Sequence, residues 1–546
     1  MIYKKFFIPF FIVFISIIPL LDLFHPGIPQ THDGQDHVAR IANFYQNILE
    51  GNIIPRWAGN LNWGFGHPIL MFLYPLPSYL ASIFHFLSFS FVDSVKIVFG
   101  LSFIASGLAM YLWIKSFLGR NAGIVAGIVY MIAPYRFVDL YVRGAIGEHV
   151  AFIFPPLIFY FLLMLSKKFS NWYLLGGSLS LSGLLLSHNA ISVMFLPLIF
   201  LYAIYLVWKI KNKKYLILHT SYLIVLGLGL SAFFWMPAFF EGKYTLRDIV
   251  IAGEYTSRFT EFSRFVYSPW SYGGSGEFSL QIGIIHWAIL IIAIPAIYVL
   301  YKRKNNLWIL AASSFAIFWL TIFLMTPASK LIWEHITVLQ KFQFPWRFMS
   351  VSVFSIAVLG GLFVYLIPNN LKRYSVILLI LLILFFNKDY WRANGYLQKP
   401  ESFFTGIYNG TTDTGESSPI WSVRFMEKRP KAHIEVISGE AFVKERSRKS
   451  TVHVYEIDAS QKSRIVENTL YFPGWVVEVD GEKTNIEFQD PAHRGLMTFF
   501  VEEGRHNIEV KFGETKLRLF ADAISAATVV MIIYVFFGTP KKLFPK

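Results

Sequence analysis

The chain has 546 residues, of which 55% are hydrophobic and 15% are charged, and its mean hydropathy is +0.49. A soluble protein of this length needs a more charged surface, so the composition predicts that most of the chain faces lipid. Cysteine is absent, which excludes disulfides, thiolate metal sites and a cysteine nucleophile. The net charge of +15 does not indicate nucleic acid as a partner, because the basic residues lie between apolar stretches and are typical of membrane topology.

The apolar stretches predict a polytopic α-helical membrane protein. The first stretch, 6–24, follows Lys4 and Lys5 and lacks a small-residue cleavage site, so we expect an anchor rather than a removed signal peptide. The basic clusters between stretches can all lie in the cytoplasm if about twelve segments span the bilayer. The predicted spans are 6–24, 94–117, 121–135, 149–166, 172–188, 190–208, 215–236, 281–301, 307–326, 348–367, 374–388 and 517–538. Both termini are then cytoplasmic, as expected for a multi-pass protein of the cytoplasmic (inner) membrane with its active face extracytoplasmic.

The stretch 68–91 is apolar but contains three prolines and His85, which favours a broken or interfacial helix over a span. We place it in the first external loop, 25–93. Counting it as a span would reverse the sidedness of every later basic cluster.

Residues 389–516 are polar enough to form a domain outside the membrane. Alternating segments predict strands at 433–437, 452–457, 475–479, 496–501 and 507–512, with turns at Asp480-Gly481 and Gly504. These segments predict a small extracytoplasmic β-sandwich over 430–516, before the last span. The other predicted units are a transmembrane domain, 1–388, and a loop-rich lead-in, 389–429.

The richest polar cluster opens the first external loop with His32, Asp33, Asp36, His37 and Arg40. A helix over 35–49 would place Asp36 and Arg40 on one face. A fixed carboxylate beside a membrane can remove a proton from an attacking hydroxyl, or hold a divalent cation such as Mg²⁺ or Mn²⁺. Asp33 and Asp36 are the candidate metal ligands, although no cofactor is required by the sequence. The alternative is an N-cap aspartate with solvated neighbours.

Aromatic and polar residues among glycines and prolines continue this loop. Arg56, Trp57, His67 and Tyr74 suit a sugar-stacking or lipid-interface wall, and they equally suit an ordinary aromatic belt.

A second cluster follows the third span. Arg136, Asp139 and Arg143 are spaced for one helical face, and Glu148 follows closely. Two arginines suit recognition of a phosphate or diphosphate, whereas the alternative is an ion-pair ladder within the helix.

A third signal, Trp346-Arg347, stands just before a span. Arg347 is placed to bind a lipid phosphate with Trp346 as an interface anchor, or to snorkel to the headgroups. Walker, HExxH and G-x-S-x-G motifs are absent from the sequence, which disfavours ATP hydrolysis, zinc proteolysis and serine hydrolysis.

Together these motifs resemble those of known membrane families. The matching pieces are His32-Asp33-Gly34, Pro55-Arg56-Trp57, Gly64-Phe65-Gly66-His67-Pro68, Tyr74-Pro75-Leu76, Pro134-Tyr135-Arg136, Arg143-Gly144-Ala145 and Phe344-Pro345-Trp346-Arg347. The architecture resembles the glycosyltransferase-C (GT-C) superfamily. More closely, the chain is similar to the bacterial 6-pyruvoyl-tetrahydropterin synthase-related membrane proteins. Its tail, with Tyr471-Phe472-Pro473-Gly474-Trp475, resembles YfhO-like proteins.

The GT-C resemblance implies transfer of a sugar from a polyprenyl-phosphate donor to an envelope glycan, lipid or protein acceptor on the outer membrane face. By that resemblance Asp33 is the expected base, and Asp36 supports it or contributes to a metal site. Arg143 and Arg347 would neutralise donor phosphate, and Glu148 would bind sugar or orient an arginine.

The sequence also departs from the superfamily. Many members carry adjacent acidic residues or a Glu-x-Asp pair, whereas this chain has Asp33-x-x-Asp36, which leaves the roles of the two aspartates open. The competing functions are a lipid-linked glycan transporter and a non-catalytic envelope assembly factor. Charges at helix ends and the lack of a visible inverted repeat favour the enzyme.

Overall fold

The structure is a computed structural model that describes residues 3–274 and 277–534, with side chains from Pro9 onward. The described residues do not include the basic C-terminal cluster 541–546 or the last residues of the predicted span 517–538. They also do not include the side chains of Lys4 and Lys5. Within these ranges the helices of ten or more residues are α1 (Tyr3–Ile17), α2 (Gly34–Leu49), α3 (Leu76–Phe86), α4 (Phe91–Leu118), α5 (Arg120–Met131), α6 (Phe154–Lys167), α7 (Asn171–Leu185), α8 (Asn189–Lys209), α9 (Lys213–Leu230), α10 (Ile284–Lys302), α11 (Leu307–Met325), α12 (Met349–Leu366), α13 (Asn369–Asn387) and α14 (Lys516–Ile533).

Seven helical segments in the described part are long and apolar enough to cross a membrane. They are α4, Ile146–Lys167, α8, α10, α11, Pro345–Leu366 and α13. Two further candidates are bent pairs: α5 with Pro134–Arg143, bent by 48°, and α9 with Ala232–Phe240, bent by 72°. Nine of the predicted spans therefore correspond to these segments. The other three, 6–24, 172–188 and 517–538, fall on α1, α7 and α14, which do not meet the same criteria in the described part.

Close backbone contact between α4 and α5 forms the centre of the membrane domain. A Cβ added at Gly127 would lie 2.7 Å from the carbonyl oxygen of Gly107, and one at Gly107 would lie 2.4 Å from the sulfur of Met131. Small residues bring membrane helices together in this way, because lipid offers no hydrophobic driving force for helix association. The span Pro345–Leu366 completes this core, since 83% of its apolar window is buried, against 17% for α13.

The stretch 68–91 is divided between the short helix Ile69–Phe72 and α3, as its prolines predict. Neither is long enough to be a span. The ring of Tyr79 on α3 meets the ring of Phe44 on α2 edge-on, with centroids 4.7 Å apart. The loop 25–93 therefore folds back on itself at the end of the helical domain.

The β-structure follows the helices. Its strands are β1 (Ile28–Pro29), β2 (Tyr396–Leu397), β3 (Ile434–Ser438), β4 (Ala441–Arg448), β5 (Val452–Ala459), β6 (Ser463–Leu470), β7 (Trp475–Val479), β8 (Glu482–Thr484), β9 (Leu496–Val501) and β10 (Gly504–Phe512). A five-stranded sheet, β4-β5-β10-β7-β8, faces a three-stranded sheet, β3-β6-β9, across one shared core. The predicted fold class, a polytopic helical protein with a β-sandwich before the last helix, is confirmed.

Sequence patterns predicted five of the eight sandwich strands and missed β4, β6 and β8. Strand β4 is exposed along most of its length, so it lacks an apolar face. Strand β6 carries buried Glu467 and Asn468, which interrupt the alternation on which the prediction depends.

The sandwich is attached to the helical domain by buried contacts. The rings of Trp57 and Trp475 meet edge-on with centroids 5.3 Å apart. Arg56 is 3% exposed, and its guanidinium forms ion pairs with Glu514 at 2.9 Å and with Asp522 at 2.6 Å. The loop 25–93 is thereby joined to the sandwich and to the last helix.

A buried charge network lies within the sandwich. Glu467 accepts hydrogen bonds from Arg448 at 2.8 Å, His453 at 2.9 Å and the Tyr455 hydroxyl at 3.0 Å. Burial alone would raise the pKa of Glu467, but the interactions with His453 and Arg448 outweigh it and lower the pKa to about 2 from the ordinary 4.5. Because the pKa is lower in the folded state, ionised Glu467 stabilises the sandwich fully above about pH 4.5, and this contribution is lost as the pH falls toward 2.

We therefore expect acid to open the wild-type sandwich between these pH values, and Glu467→Gln to remove that step while lowering stability at neutral pH. The chain has no cysteine, so Val510→Cys, at a fully buried core position, can report opening through its reaction with dithiodipyridine. Glu502→Gln, which changes an exposed carboxylate, is the matched control. An unchanged acid step in Glu467→Gln would contradict this role.

Candidate active site where four spans end

Four candidate spans end in one polar cluster. They are α5 with Pro134–Arg143, Ile146–Lys167, α8 and Pro345–Leu366. Arg143 bonds directly to Glu148 across the first two ends. The charge of Arg347 acts on both Glu148 and His188, which precedes α8. The same side of the helical domain therefore collects charges from all four ends.

The bend after α5 is built by local sequence. Pro134 begins a short helix, because proline is tolerated in a first helical turn, and a π-helical turn follows over Val138–Arg143. Gly144 ends this turn in the left-handed region with φ of 68°. The bend exposes backbone carbonyls of residues 142 and 143 to a new partner.

Arg143 is compensated inside the protein. Its guanidinium donates to Asp139 Oδ1 at 2.6 Å, to the Tyr135 hydroxyl at 3.2 Å and to Glu148. Both carboxylate residues are fully buried. The ion pair between Asp139 and Arg143 is the within-helix ladder that sequence offered as an alternative to phosphate recognition. Arg143 therefore brings little uncompensated charge to the cluster.

Arg136 does not join this pair. It is fully buried, donates to Ser106 Oγ at 3.2 Å, and its guanidinium carbon lies 3.9 Å from the centroid of the Phe152 ring. The predicted common face of Arg136, Asp139 and Arg143 is therefore divided, and Arg136 faces the helical core.

The acidic motif is fastened to the bend through its backbone. The N–H of His32 donates to the carbonyl of Val142 at 3.0 Å, and that of Asp33 donates to the carbonyl of Arg143 at 2.9 Å. A Cβ at Gly144 would lie 2.3 Å from Thr31 Oγ1, so only glycine allows this approach. The pairing places Asp33 directly beside the end of a span.

The side chain of Asp33 is exposed and does not cap α2. Asp33 occupies the N-cap position, but it makes no capping hydrogen bond. Instead Thr31 Oγ1 accepts from the N–H of Gly34 at 3.1 Å. The N-cap alternative therefore describes the backbone position of Asp33 and leaves its carboxylate available.

Asp36 lies in a different environment from Asp33. It is half-buried, and the Tyr408 hydroxyl donates to its Oδ1 at 2.6 Å, while Gln35 Nε2 donates to that hydroxyl at 2.7 Å. Burial raises the pKa of Asp36, although the hydrogen bond from Tyr408 and the charge of Arg40 oppose this. The site thus holds one exposed carboxylate and one carboxylate that retains a proton more readily.

A segment of the lead-in, 407–418, packs against the acidic motif. Arg40 Nε donates to Thr412 Oγ1 at 3.1 Å, and its guanidinium also contacts the Thr412 carbonyl and His37 Nδ1. Glu416 accepts from Gln343 Nε2 at 3.1 Å. Sequence reasoning missed Tyr408, Thr412 and Glu416, and the sole local signal was the Asp-Thr-Gly turn at 413–415.

Tyr74 and His188 form one wall. Their rings stack with centroids 5.0 Å apart, and Gly147 permits this because a Cβ there would lie 2.0 Å from the Tyr74 ring. His37 and His67 are buried instead of lining this wall. Burial lowers the pKa of His67 to about 4, and burial together with the Arg40 charge lowers the pKa of His37. Both imidazoles are therefore neutral at pH 7.

Arg347 is half-buried at the start of its span. It donates to the carbonyl of Phe342 at 2.8 Å, and its guanidinium carbon lies 4.9 Å from the centroid of the Phe344 ring. Trp346 is 2% exposed and stacks on Phe344, so it packs in the protein core. Throughout residues 3–274 and 277–534, no carboxylate lies within ion-pair distance of Arg347 or Arg40.

Two predicted site residues are thus used elsewhere, because Arg56 and Trp57 contact the sandwich and the last helix. His67 Nε2 lies 3.2 Å from Ser418 Oγ, in the segment 407–418. The part of the chain that the structure describes also contains no group of three or more His, Cys, Asp or Glu arranged to hold a metal ion.

The architecture and the cluster define a polytopic membrane protein whose charged site lies at the helix ends. The model of the 6-pyruvoyl-tetrahydropterin synthase related domain, a membrane protein family, matches residues 70–394. This range is more than half of the chain, and the protein therefore belongs to that family.

Comparison with individual proteins finds similarity to this chain over part of its length or at low sequence identity. An uncharacterized protein of Lactococcus lactis subsp. cremoris (strain MG1363) is 26% identical over 273 residues, which are 48% of this chain and 43% of that protein. ArnT from Cupriavidus metallidurans, solved with undecaprenyl phosphate, aligns with a TM-score of 0.32 and 10% identity, over 66% of this chain and 78% of its own. The arabinofuranosyltransferase AftD from Mycobacteria aligns with a TM-score of 0.37 and 13% identity, over 70% of this chain and 27% of its own. Because both TM-scores lie below 0.5, neither structure assigns an activity to this chain.

The contact at Gly144 generates a direct test. Gly144→Ala should lower the free energy of unfolding by roughly 1–3 kcal/mol more than Gly51→Ala. Both glycines have positive φ, 68° and 96°, but a Cβ at Gly51 meets nothing within 4 Å. The comparison therefore isolates the contact with Thr31 from backbone strain. Thermal unfolding of the purified variants in detergent measures it, and equal losses for both would show that the close approach is unimportant.

Proposed function

We propose that the protein is a glycosyltransferase that moves a sugar from a polyprenyl-phosphate donor to a glycan, lipid or protein acceptor. The observation that carries the proposal is the exposed carboxylate of Asp33 in a cluster where, among the described residues, no carboxylate lies within ion-pair distance of Arg347 or Arg40. A base and a pair of cations that are not held in ion pairs are what transfer from a phosphate leaving group requires. The family assignment supports the membrane setting but names no activity.

The proposed chemistry assigns one role to each group. The carboxylate of Asp33 takes the proton from the acceptor hydroxyl as its oxygen attacks the anomeric carbon of the donor sugar. The bond from that carbon to the phosphate oxygen breaks, and the polyprenyl phosphate leaves with the bonding electrons. Arg347, with Arg40 behind it, stabilises the negative charge that develops on the phosphate. Asp36, held by Tyr408, supports Asp33.

The placement of the cluster supports a lipid-linked donor. Arg347 lies at the first turn of a span, where a headgroup phosphate would meet the protein while its polyprenyl chain stays among the helices. The stacked rings of Tyr74 and His188 offer a flat surface beside it for a sugar. Glu148 orients Arg143 in this arrangement, and Arg143 in turn holds the bend that carries the acidic motif.

The charges at the opposite helix ends support an extracytoplasmic active face. The helix ends away from the cluster carry Arg120, Lys167, Lys209 and Lys302. By the positive-inside rule these ends, and both termini, lie in the cytoplasm of a cell with the protein in its inner membrane. The cluster and the sandwich then face outward.

A divalent cation is compatible with this mechanism. Mg²⁺ or Mn²⁺ would be held by Asp33 and Asp36 together with oxygens of the donor phosphate, since hard cations prefer such ligands. The cation would neutralise phosphate charge. The described residues offer no complete protein cage for it, so any metal requirement should appear with donor bound.

A lipid-linked glycan transporter is the second candidate. The two bent pairs, α5 with Pro134–Arg143 and α9 with Ala232–Phe240, favour it, because broken helices are typical of transporter binding sites. A non-catalytic assembly factor built around the sandwich would need neither aspartate.

The test is a membrane transfer assay with a panel of radiolabelled polyprenyl-phosphate sugars. Asp33→Asn should reduce transfer by about 10²- to 10⁴-fold, because the acceptor proton loses its base. Asp248→Asn is the control, since Asp248 is exposed and pairs with Lys341. Sealed right-side-out vesicles should be active without detergent if the site faces outward.

Equal transfer by wild type and Asp33→Asn would remove Asp33 from the mechanism and leave an enzyme. The folded wild type would have to transfer no sugar from any donor in the panel and to flip the lipid-linked sugar in proteoliposomes. This combination would contradict the transferase and support the transporter.

A further inference from the structure

A surface cleft of about 290 Å³ lies between the loop 25–93 and the sandwich. Its lining combines an indole ring with basic, acidic and apolar side chains. The lining residues that matter here are Trp63, Ile407, Arg429, Lys431, His433 and Glu445. The proposed transfer site does not use any of them.

Trp63 enters the cleft from a strained backbone. Its φ is 62°, and that of the preceding Asn62 is 53°, a region that bulky L-residues rarely adopt. The strain is held by hydrogen bonds from the N–H of Trp63 to the Tyr408 carbonyl at 3.0 Å and from the N–H of Asn62 to the Gly410 carbonyl at 2.8 Å. Strain of this kind persists where the surrounding structure fixes it, and it often accompanies function. Here it keeps a half-exposed indole ring at the cleft.

The cleft lining also carries positive charge. Arg429 and Lys431 are exposed. Arg429 Nη2 donates to the Ile407 carbonyl at 3.3 Å, and this bond holds the guanidinium at the cleft. Glu445 is the acidic lining residue, and it is paired with His433 at 2.7 Å. The cleft thus presents two cations, and a carboxylate bonded to an imidazole, beside an aromatic ring.

The cleft is continuous with the acidic motif through the chain. Ile407 lines the cleft, and the next residue, Tyr408, donates its hydroxyl to Asp36. Consecutive Cα atoms are about 3.8 Å apart. Ile407 and Tyr408 therefore link the cleft lining to a contact with Asp36.

We propose that this cleft binds an anionic saccharide chain, stacked on Trp63 with its acidic groups at Arg429 and Lys431. An indole face suits the C–H face of a sugar ring, and the two cations select a chain that carries carboxylate or phosphate groups. The saccharide is the acceptor of the proposed transfer. This acceptor role rests on the proposed function, whereas the binding itself does not.

Calorimetric titration of the full chain in detergent tests the binding. The probes are hexagalacturonate and a glycerol-phosphate-substituted hexasaccharide, with neutral maltohexaose and hexaglutamate as comparisons. The variants are Trp63→Asn, which keeps a residue that tolerates positive φ, and the double change Arg429→Glu with Lys431→Glu. Lys444→Glu is the matched control, because Lys444 is exposed on β4 and does not line the cleft.

At least one anionic saccharide should bind, and maltohexaose and hexaglutamate should bind at least about tenfold more weakly. Trp63→Asn and the double variant should each weaken saccharide binding by about tenfold, and Lys444→Glu should leave it unchanged. Absence of binding by both anionic saccharides would overturn the proposal. Equal binding of hexaglutamate, or binding insensitive to Trp63→Asn, would also overturn it by showing a site for charge alone.

The transfer assay distinguishes failure of the saccharide site from failure of the proposed function. Saccharide binding without sugar transfer would contradict the proposed transferase activity and support the proposed saccharide site. Transfer that persists in a protein lacking saccharide binding would contradict the cleft and leave the transferase.

Discussion

The buried positive charge of Arg143 is the constraint on which the site depends. A guanidinium at the end of apolar spans is costly unless carboxylates surround it, and here Asp139 and Glu148 do so from two different helical segments. Satisfying this charge fixes the bend after α5. The bend turns two carbonyls toward the acidic motif, and Gly144 provides the room for that motif to pair with them. The position of Asp33 is therefore a consequence of how Arg143 is neutralised.

The polar segment 389–516 contributes contacts to the site at the ends of the spans. Tyr408 reaches Asp36 from a segment that lies between the helices and the sandwich, and Thr412 holds Arg40. The sandwich itself is fixed to the loop 25–93 by Arg56 and Trp57. A disturbance of the sandwich would thus reach the aspartates through this loop and the lead-in, without any change in the spans.

Apolar and alternating patterns predicted the fold class, because they are local signals. That the acidic motif shares one site with Arg143 and Glu148 was implied by the family resemblance and not by residue spacing. The sequence did not predict Tyr408, whose partner is 372 residues away, since nothing in a loop-rich segment indicates a tertiary contact. It also assigned Trp57 to a substrate wall, because aromatic rings among glycines and prolines suit sugar stacking or a lipid interface. Its actual packing partner belongs to a domain more than 400 positions later.

The most direct test of the account is photolabelling with a polyprenyl phosphate that carries a diazirine next to the phosphate. Peptide mapping of the labelled full chain should place the adduct on the segments that contain Arg347 and residues 31–40, where four spans end. Excess unlabelled polyprenyl phosphate should prevent the reaction. Labelling confined to the opposite helix ends, near Arg120 or Lys209, would contradict a donor-phosphate site at the cluster.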